Sequence, residues 1–184
     1  MKSLPYAIAV ESTKEELSGN DKRNMYIAMN KKNKELHDKA EKTLKSLGYD
    51  INQITKKKIT KIMLYEEFNG LCPYCGKSIN INSLINGSDE IEHILPRSDS
   101  FNDSLDNRTI SCADCNSKKG NKTPLQYLTG SDKESFINRI KSNKNISELK
   151  KNNFLFDGDI SKYRTRFFNR NLRDTAYATK ELIK

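Results

Sequence analysis

Apolar side chains recur in steps of three and four over long parts of the chain, which is the period of an amphipathic helix. The first such series lies between the break at Gly19 and Gly48, and it predicts one long helix with a narrow apolar seam. The residues of this seam are Met25, Met29, Leu36, Ala40, Leu44 and Leu47, with the polar Asn33 in the gap between Met29 and Leu36. A second series predicts a helix over residues 55–69 that stops at Gly70. Its apolar positions are Ile59, Ile62, Tyr65 and Phe68.

Shorter patterns predict the remaining elements. The predicted helical segments are residues 124–128, 132–141, 146–155 and 160–184. Tyr6 to Glu11 is a short apolar run typical of a strand. Asp89 to Leu95 also predicts a strand, whose apolar members lie near the polar pair Glu92-His93 and which a proline ends. The pattern therefore predicts an α+β protein that is mostly helical.

Composition limits the classes of protein to which the chain can belong. Its 184 residues are 35% hydrophobic and include no tryptophan, so we expect a modest core. No apolar run approaches the ~20 residues of a membrane span. The apolar stretch that ends at Val10 is too short for a signal peptide. We expect a protein of a reducing compartment with no membrane partner.

The charge differs in sign between three parts of the chain. Lys and Arg number 33 against 24 Asp and Glu, and the net charge of +9 favours a polyanionic partner such as nucleic acid. Residues 1–70 carry 14 basic and 10 acidic side chains, residues 71–130 carry 6 and 7, and residues 131–184 carry 13 and 7. A nearly neutral centre thus lies between two basic arms. All four cysteines and one of the two histidines lie in that centre.

Two Cys-x-x-Cys pairs lie in this centre, the first at Cys72 and Cys75 and the second at Cys112 and Cys115. Two intervening residues allow both thiolates of a pair to bind one tetrahedral ion, and two pairs complete a four-thiolate site. A thioredoxin-type redox pair is the alternative, but it needs one such pair rather than two. The pattern predicts a structural zinc ion that fastens the ends of segment 73–111.

Glu92 and His93 lie between the two cysteine pairs, and Asn116 follows the last cysteine directly. Cleavage of a phosphodiester needs a base that deprotonates water and a cation that stabilises charge on the phosphate and the leaving oxygen. Histidine can be that base near neutral pH. The oxygen atoms of Glu92 and Asn116 suit magnesium or manganese. A lone histidine on a strand is usually structural, so a catalytic interpretation of His93 depends on these neighbours.

This order of residues resembles the HNH, or ββα-metal, nucleases. Their pattern is an acid-His pair, a central Asn and a final Asn or His, matched here by Glu92-His93, Asn107 and Asn116. The resemblance implies that His93 is the general base and that Glu92 and Asn116 hold one divalent metal. It also implies that Asn107 braces the loop and orients His93.

The same resemblance implies a fold and further contacts. The expected architecture is a ββα-metal core with a four-cysteine zinc site and flanking basic helices. Lys118 and Lys119 follow Asn116 closely and could contact phosphate, although a simple solvated role accounts for both lysines equally well.

Longer stretches narrow the resemblance to the HNH domain of type II CRISPR-associated, RNA-guided DNA endonucleases. They are residues 94–107, 119–128 and 168–177. The segment from Tyr6 to Glu11 is similar to the second motif of that family's split RuvC-like nuclease, with Glu11 at its metal-binding carboxylate. The resemblance divides the chain into a strand and connector, a helical linker region, a zinc-held HNH core and a C-terminal helical extension. These parts are residues 1–19, 20–70, 71–130 and 131–184.

The function implied by the resemblance is cutting of the DNA strand that pairs with the guide. The implied partners are target DNA, the guide RNA-DNA heteroduplex and the RuvC-like and recognition parts of a parent protein, in a prokaryotic cytoplasm. Glu92 stands where the family more often has Asp, and a double Cys-x-x-Cys is typical of free-standing HNH enzymes. A free-standing HNH endonuclease of restriction or homing type therefore stays open. So does a zinc-binding nucleic-acid module without catalysis.

Overall fold

The computed structural model describes residues 19–87 and 90–160 of the chain. This part contains eight α-helices and a two-stranded sheet. The helices are α1 (Gly19–Ser46), α2 (Lys56–Glu67), α3 (Ile81–Asn86), α4 (Arg97–Ser100), α5 (Ala113–Lys119), α6 (Pro124–Tyr127), α7 (Gly130–Ser142) and α8 (Glu148–Phe154). The strands are β1 (Glu90–His93) and β2 (Arg108–Ser111). Turns of 3-10 helix lie at Ile51–Gln53 and Leu105–Asn107.

The long helix predicted from the first apolar series is α1, and two residues of its seam are buried near its C-terminal end. Ala40 and Leu44 are fully buried in one cluster with Ile59 and Ile62 of α2. Leu36, from the same series, is exposed. This difference in burial follows from the lengths of the two helices. Because α2 has 12 residues and α1 has 28, α2 can cover less than half the length of α1.

The second predicted helix is α2, and its ends follow the local sequence signals. Thr55 caps its first turn, where the hydroxyl oxygen accepts a hydrogen bond from the Lys58 amide at 3.3 Å. Beyond its other end, Gly70 adopts a φ of +75° and its amide donates to the Tyr65 carbonyl at 2.9 Å. The chain then enters the first cysteine pair, so the end of α2 determines where Cys72 lies.

The sheet consists of the predicted strand and a second strand that the pattern did not predict. β1 and β2 are antiparallel, with Glu92 opposite Thr109 and His93 opposite Arg108. One residue, Cys112, separates β2 from α5. This order of strand, strand and helix agrees with the ββα arrangement expected from the resemblance.

An aromatic cluster lies at the centre of the main core. Tyr74 stacks on Phe136 with ring centroids 5.8 Å apart, and Phe68 meets the edge of Phe154 at 5.6 Å. Phe136 belongs to α7 and Phe154 to α8, the helices predicted at residues 132–141 and 146–155. The buried cysteines and Ile110 of β2 belong to the same cluster, so one core supports the sheet and both cysteine pairs.

Two predicted elements lie outside the described residues. They are the strand at residues 6–11, which includes Glu11, and the final helical region beyond residue 160. Among the helices that are described, none has an apolar stretch long enough to cross a membrane.

Candidate active site

The four cysteines converge at one point, as their spacing predicts. Their sulfur atoms all lie within 4.8 Å of one another, and Cys72 and Cys115 are buried whereas Cys75 is exposed. The first pair lies on a tight turn in which the Gly76 amide donates to the Cys72 carbonyl at 2.9 Å. The second pair lies at the start of α5, where Cys112 is the N-cap residue.

This cluster fits a zinc ion. A tetrahedron with zinc–sulfur bonds of about 2.3 Å has edges of about 3.8 Å, and the Sγ atoms of Cys75 and Cys112 are 3.8 Å apart. Burial raises the pKa of the Cys72 thiol to about 12. A thiolate at that position therefore needs a cation beside it. The distances and the donor chemistry agree with a four-thiolate metal site.

Arg139 of α7 holds the first cysteine turn in place, a contact that sequence analysis missed. Its Nη1 donates to the carbonyl oxygens of Pro73 at 2.7 Å and Tyr74 at 3.1 Å. Gly76 lies against the same guanidinium, with a φ of +74°, and a Cβ there would lie 2.7 Å from Nη2. The tight turn therefore needs a glycine for its backbone conformation and for the space that Arg139 occupies.

Asn107 closes the loop between β1 and β2. Its side chain is fully buried, and Nδ2 donates to the carbonyl oxygens of Leu95 at 3.0 Å and Asn102 at 2.8 Å. Its Oδ1 accepts a hydrogen bond from the Leu95 amide at 2.9 Å. Its own carbonyl accepts one from the Ile94 amide at 2.9 Å. One amide side chain thus fixes both sides of the loop that follows His93.

The ring of His93 lies at the edge of this loop and is partly exposed. Its Nε2 is 2.8 Å from Oδ1 of Asp103. Asp103 also accepts from Arg108, the residue opposite His93 on β2, at 3.1 Å from Nε and 2.5 Å from Nη2. Hydrogen bonds from Arg108 and then from His93 lower the pKa of Asp103 to about 2, so this carboxylate is ionised near neutral pH. Sequence analysis missed both Asp103 and Arg108.

Glu92 points away from His93, because successive side chains of a strand alternate between its faces. Its Oε2 lies 3.0 Å from Nζ of Lys119, and its Oε1 accepts a hydrogen bond from the Tyr74 hydroxyl. The side chain of Lys119 is only 1% exposed, and its Nζ also donates to the His93 carbonyl at 2.9 Å. Burial raises the pKa of Glu92 to about 7, although Lys119 opposes the shift.

The remaining predicted residues lie on α5. Asn116 is half-buried, one turn before Lys119, and Lys118 is exposed with its ammonium 3.0 Å from Asp114. The oxygens of Glu92 and Asn116 suit a hard cation by type. The Glu92 carboxylate as it lies here does not fit such a site, because each oxygen already accepts from Tyr74 or Lys119.

Residues 72–125 match the model of the HNH endonuclease family. The chain carries an HNH endonuclease domain. The matched segment contains both cysteine pairs, the sheet, α5 and the contact between His93 and Asp103. The enzyme class predicted from the sequence, an endonuclease that acts on DNA, is confirmed. HNH nucleases depend on metal ions, and the four-cysteine cluster of this domain could hold one.

The HNH domain and its flanks are similar to CRISPR-associated endonucleases. The chain is 39% identical over 135 residues to Cas9 of Staphylococcus aureus and 40% identical over 136 residues to Cas9 1 of Streptococcus thermophilus. These matches cover 67% and 70% of the chain but 13% and 12% of the two curated relatives. A crystal structure of Streptococcus thermophilus Cas9 in complex with the GGAA PAM matches with a TM-score of 0.65 and 28% identity, over 90% of this chain and 18% of that one. The predicted resemblance is confirmed.

Proposed function

We propose that this HNH domain cuts the DNA strand that is paired with the guide in an RNA-guided CRISPR effector. The similarity to two Cas9 proteins over 67% and 70% of the chain supports the proposal. In such effectors base pairing selects the target sequence, so the HNH domain needs no base-reading surface of its own. Its partners are the target DNA strand, the guide RNA-DNA heteroduplex and the RuvC-like and recognition parts of the effector. Its compartment is the prokaryotic cytoplasm.

The observation that carries the proposal is the setting of His93. Its ring is accessible at the edge of a braced loop, and its backbone carbonyl is held by a buried lysine. His93 takes a proton from the water that attacks phosphorus. A divalent cation, when bound, would supply positive charge for the phosphate and for the leaving oxygen. Lys118, exposed on α5, contacts phosphate, while Lys119 remains the internal partner of Glu92.

Two kinds of metal ion belong to this proposal. Zinc on Cys72, Cys75, Cys112 and Cys115 is structural, and it ties the start of α5 to the turn after α2. The assignment of magnesium or manganese to Glu92 and Asn116 stays a prediction. It requires Glu92 to exchange Tyr74 or Lys119 for the metal, since both oxygens of its carboxylate are engaged.

Replacement of His93 tests the role of this residue. We expect His93→Ala to abolish magnesium-dependent nicking of labelled DNA, with zinc content and circular dichroism unchanged. His37→Ala is the matched control, because His37 is the chain's other histidine and is exposed on α1. Cleavage by His93→Ala at the wild-type rate would exclude His93 as the base.

Strand-specific labelling tests the RNA-guided context. In an effector that contains this chain, we expect the cut that depends on His93 in the strand paired with the guide. Efficient cutting of duplex DNA by the chain alone, without guide RNA, would favour a free-standing HNH endonuclease. Salt-dependent DNA binding by the effector without nicking in magnesium or manganese would identify a zinc-dependent binding module.

A further inference from the structure

Asp103 faces the ring of His93, and the HNH pattern of an acid-His pair and two asparagines assigns it no role. Its Oδ1 lies 2.8 Å from Nε2 of His93. Within residues 19–87 and 90–160, no other side chain forms a hydrogen bond with this ring. The contact lies at the accessible edge of the domain, where the side chains of His93 and Asp103 are 25% and 48% exposed.

We propose that Asp103 is a positioning residue for His93. The Asp103 carboxylate holds the proton on Nε2 of the His93 ring and leaves the lone pair of its Nδ1 free to accept a proton from water. This inference rests on the proposed function, in which His93 is the general base. The HNH site would then contain a carboxylate–histidine pair in addition to the residues of the HNH pattern.

The proposal follows from the donor and acceptor chemistry of the two groups. An ionised carboxylate only accepts hydrogen bonds, and a neutral imidazole has one N–H group and one lone pair. The nitrogen that faces Asp103 must therefore carry the proton. When Nδ1 takes a proton from water, the hydroxide oxygen bonds to phosphorus and Nε2 keeps its own proton. The bond from phosphorus to the leaving oxygen breaks, and that oxygen departs with the bonding pair and takes a proton from solvent water. The adjacent carboxylate stabilises the imidazolium that results, as in an Asp-His catalytic pair.

Asp103 is held in place from two directions. Arg108 contacts both of its oxygens from the position on β2 that lies opposite His93. The two neighbours of Asp103 in the chain are also fixed. The Asn102 carbonyl accepts from Asn107 at 2.8 Å, and the Ser104 amide donates to the Asn102 side chain at 3.1 Å. The carboxylate is therefore pre-organised for the ring.

A purely structural role explains this arrangement less well. An ion pair as exposed as that of Asp103 and Arg108 contributes little to the free energy of unfolding, because water screens it. The effect of the Asp103 carboxylate on the His93 imidazole does not depend on how much this ion pair contributes to the free energy of unfolding. We therefore expect loss of Asp103 to change the tautomer of His93 and the rate of cleavage while the fold is preserved.

The histidine tautomer can be measured directly by NMR. The chain contains two histidines, so long-range 1H–15N spectra of the zinc-loaded protein contain two imidazole spin systems, and His37→Gln assigns them. We expect neutral His93 to carry its proton on Nε2 in the wild type and to lose this preference in Asp103→Ala. Asp103→Glu should restore it in part. Protonated Nδ1 in the wild type, or an unchanged tautomer in Asp103→Ala, would overturn the proposal.

Single-turnover cleavage gives the second measurement. Asp103→Ala should slow the cleavage step on the order of 10- to 100-fold, the range seen when a metal-bound histidine loses its hydrogen-bonding partner. DNA affinity should stay equal or rise, since a negative charge is removed. Asp99→Ala removes a carboxylate from the same loop without touching His93 and should match the wild type.

The two proposals can fail separately. If His93→Ala is inactive while Asp103→Ala cleaves at the wild-type rate, the positioning role is wrong and the proposed function stands. If His93→Ala still cleaves, the proposed base is wrong, whatever the tautomer spectrum shows. A fall in the cleavage rate accompanied by weaker DNA binding would also contradict a positioning role.

Discussion

Lys119 and Glu92 form a buried ion pair between α5 and β1, with Nζ 3.0 Å from Oε2. Their side chains are 1% and 6% exposed. The Lys119 ammonium also donates to the His93 carbonyl, so one buried cation contacts both members of the acid-His pair. The helix that carries the second cysteine pair is thereby attached to the strand that carries the proposed base.

Removal of this cation should destabilise the domain strongly. Lys119→Met leaves the Glu92 carboxylate buried without its partner, and breaking such a pair costs about 3–5 kcal/mol of unfolding free energy. Urea unfolding of the zinc-loaded protein at a pH above about 7, where Glu92 of the wild type is ionised, measures the change. Lys118→Met is the matched control, because Lys118 is exposed, and it should change stability little. Equal stability of the two variants would contradict a stabilising role for the pair.

Glu92 should also make stability depend on pH. Burial raises its pKa from 4.5 to about 7. Between these values the folded protein binds more protons than the unfolded chain, so the free energy of unfolding falls as pH rises from about 4.5 to about 7. Burial raises the pKa of Glu67, beside Lys150, to about 6, which adds a contribution of the same sign.

Comparison with Glu92→Gln isolates the contribution of Glu92. Both proteins contain the cysteine cluster and Glu67, so the pH dependence of metal binding and of Glu67 cancels in the difference. The stability of the wild type relative to the variant should decrease with rising pH across this window, without added magnesium. A constant difference would show that Glu92 does not titrate there.

Metal removal should unfold the region around the cysteines. A zinc ion bound by the four thiolates would link the first cysteine turn to the start of α5, and structural zinc sites contribute directly to folding. We expect one zinc per chain by elemental analysis, and a chelator should lower the thermal midpoint. Cys75→Ser, at the exposed ligand, should weaken zinc binding. An unchanged thermal midpoint after complete removal of zinc would contradict the structural assignment.

A side chain at Gly76 should disturb Arg139. Gly76→Ala imposes a left-handed conformation on alanine, at about 1–2 kcal/mol, and its Cβ would lie 2.7 Å from Nη2 of Arg139. Gly48→Ala is the matched control, since Gly48 also has a positive φ but has no atom within 4 Å of the added Cβ. The difference between the two variants in thermal or urea unfolding reports the Arg139 contact alone. Equal losses would mean that Arg139 moves aside without cost.

The loop brace at Asn107 should be intolerant even of an isosteric change. Asn107→Asp removes the Nδ2 donor from the Leu95 and Asn102 carbonyls and buries a carboxylate beside them. We expect a loss of at least about 2 kcal/mol, because buried acceptors lose their partner. Asn86→Asp is the control, since the exposed Asn86 uses its oxygen to accept from the Tyr49 hydroxyl, as an aspartate can. Similar stability of Asn107→Asp and Asn86→Asp would show that the Asn107 side chain does not stabilise the loop.

Local sequence signals predicted the elements that depend on neighbouring residues. The apolar period placed α1 and α2, and the Gly70 stop placed the C-terminal end of α2. The spacing of the cysteines predicted that their sulfur atoms meet. The helix α3 was missed, because its six residues contain too little of a helical period to stand out.

The sequence alone thus indicated the family, the sulfur cluster and the acid-His pair that the family pattern implies. The family and the pair follow from the order of nearby residues, and the cluster follows from the four thiolates that one tetrahedral ion binds. Only the tertiary structure decided that Lys119 is buried on Glu92, that Asp103 faces His93 and that Arg139 holds the first cysteine turn. Lys119 is 26 residues from His93, and Arg139 is 65 residues from Tyr74. Such partners meet through the packing of separate elements, and no local period encodes that arrangement.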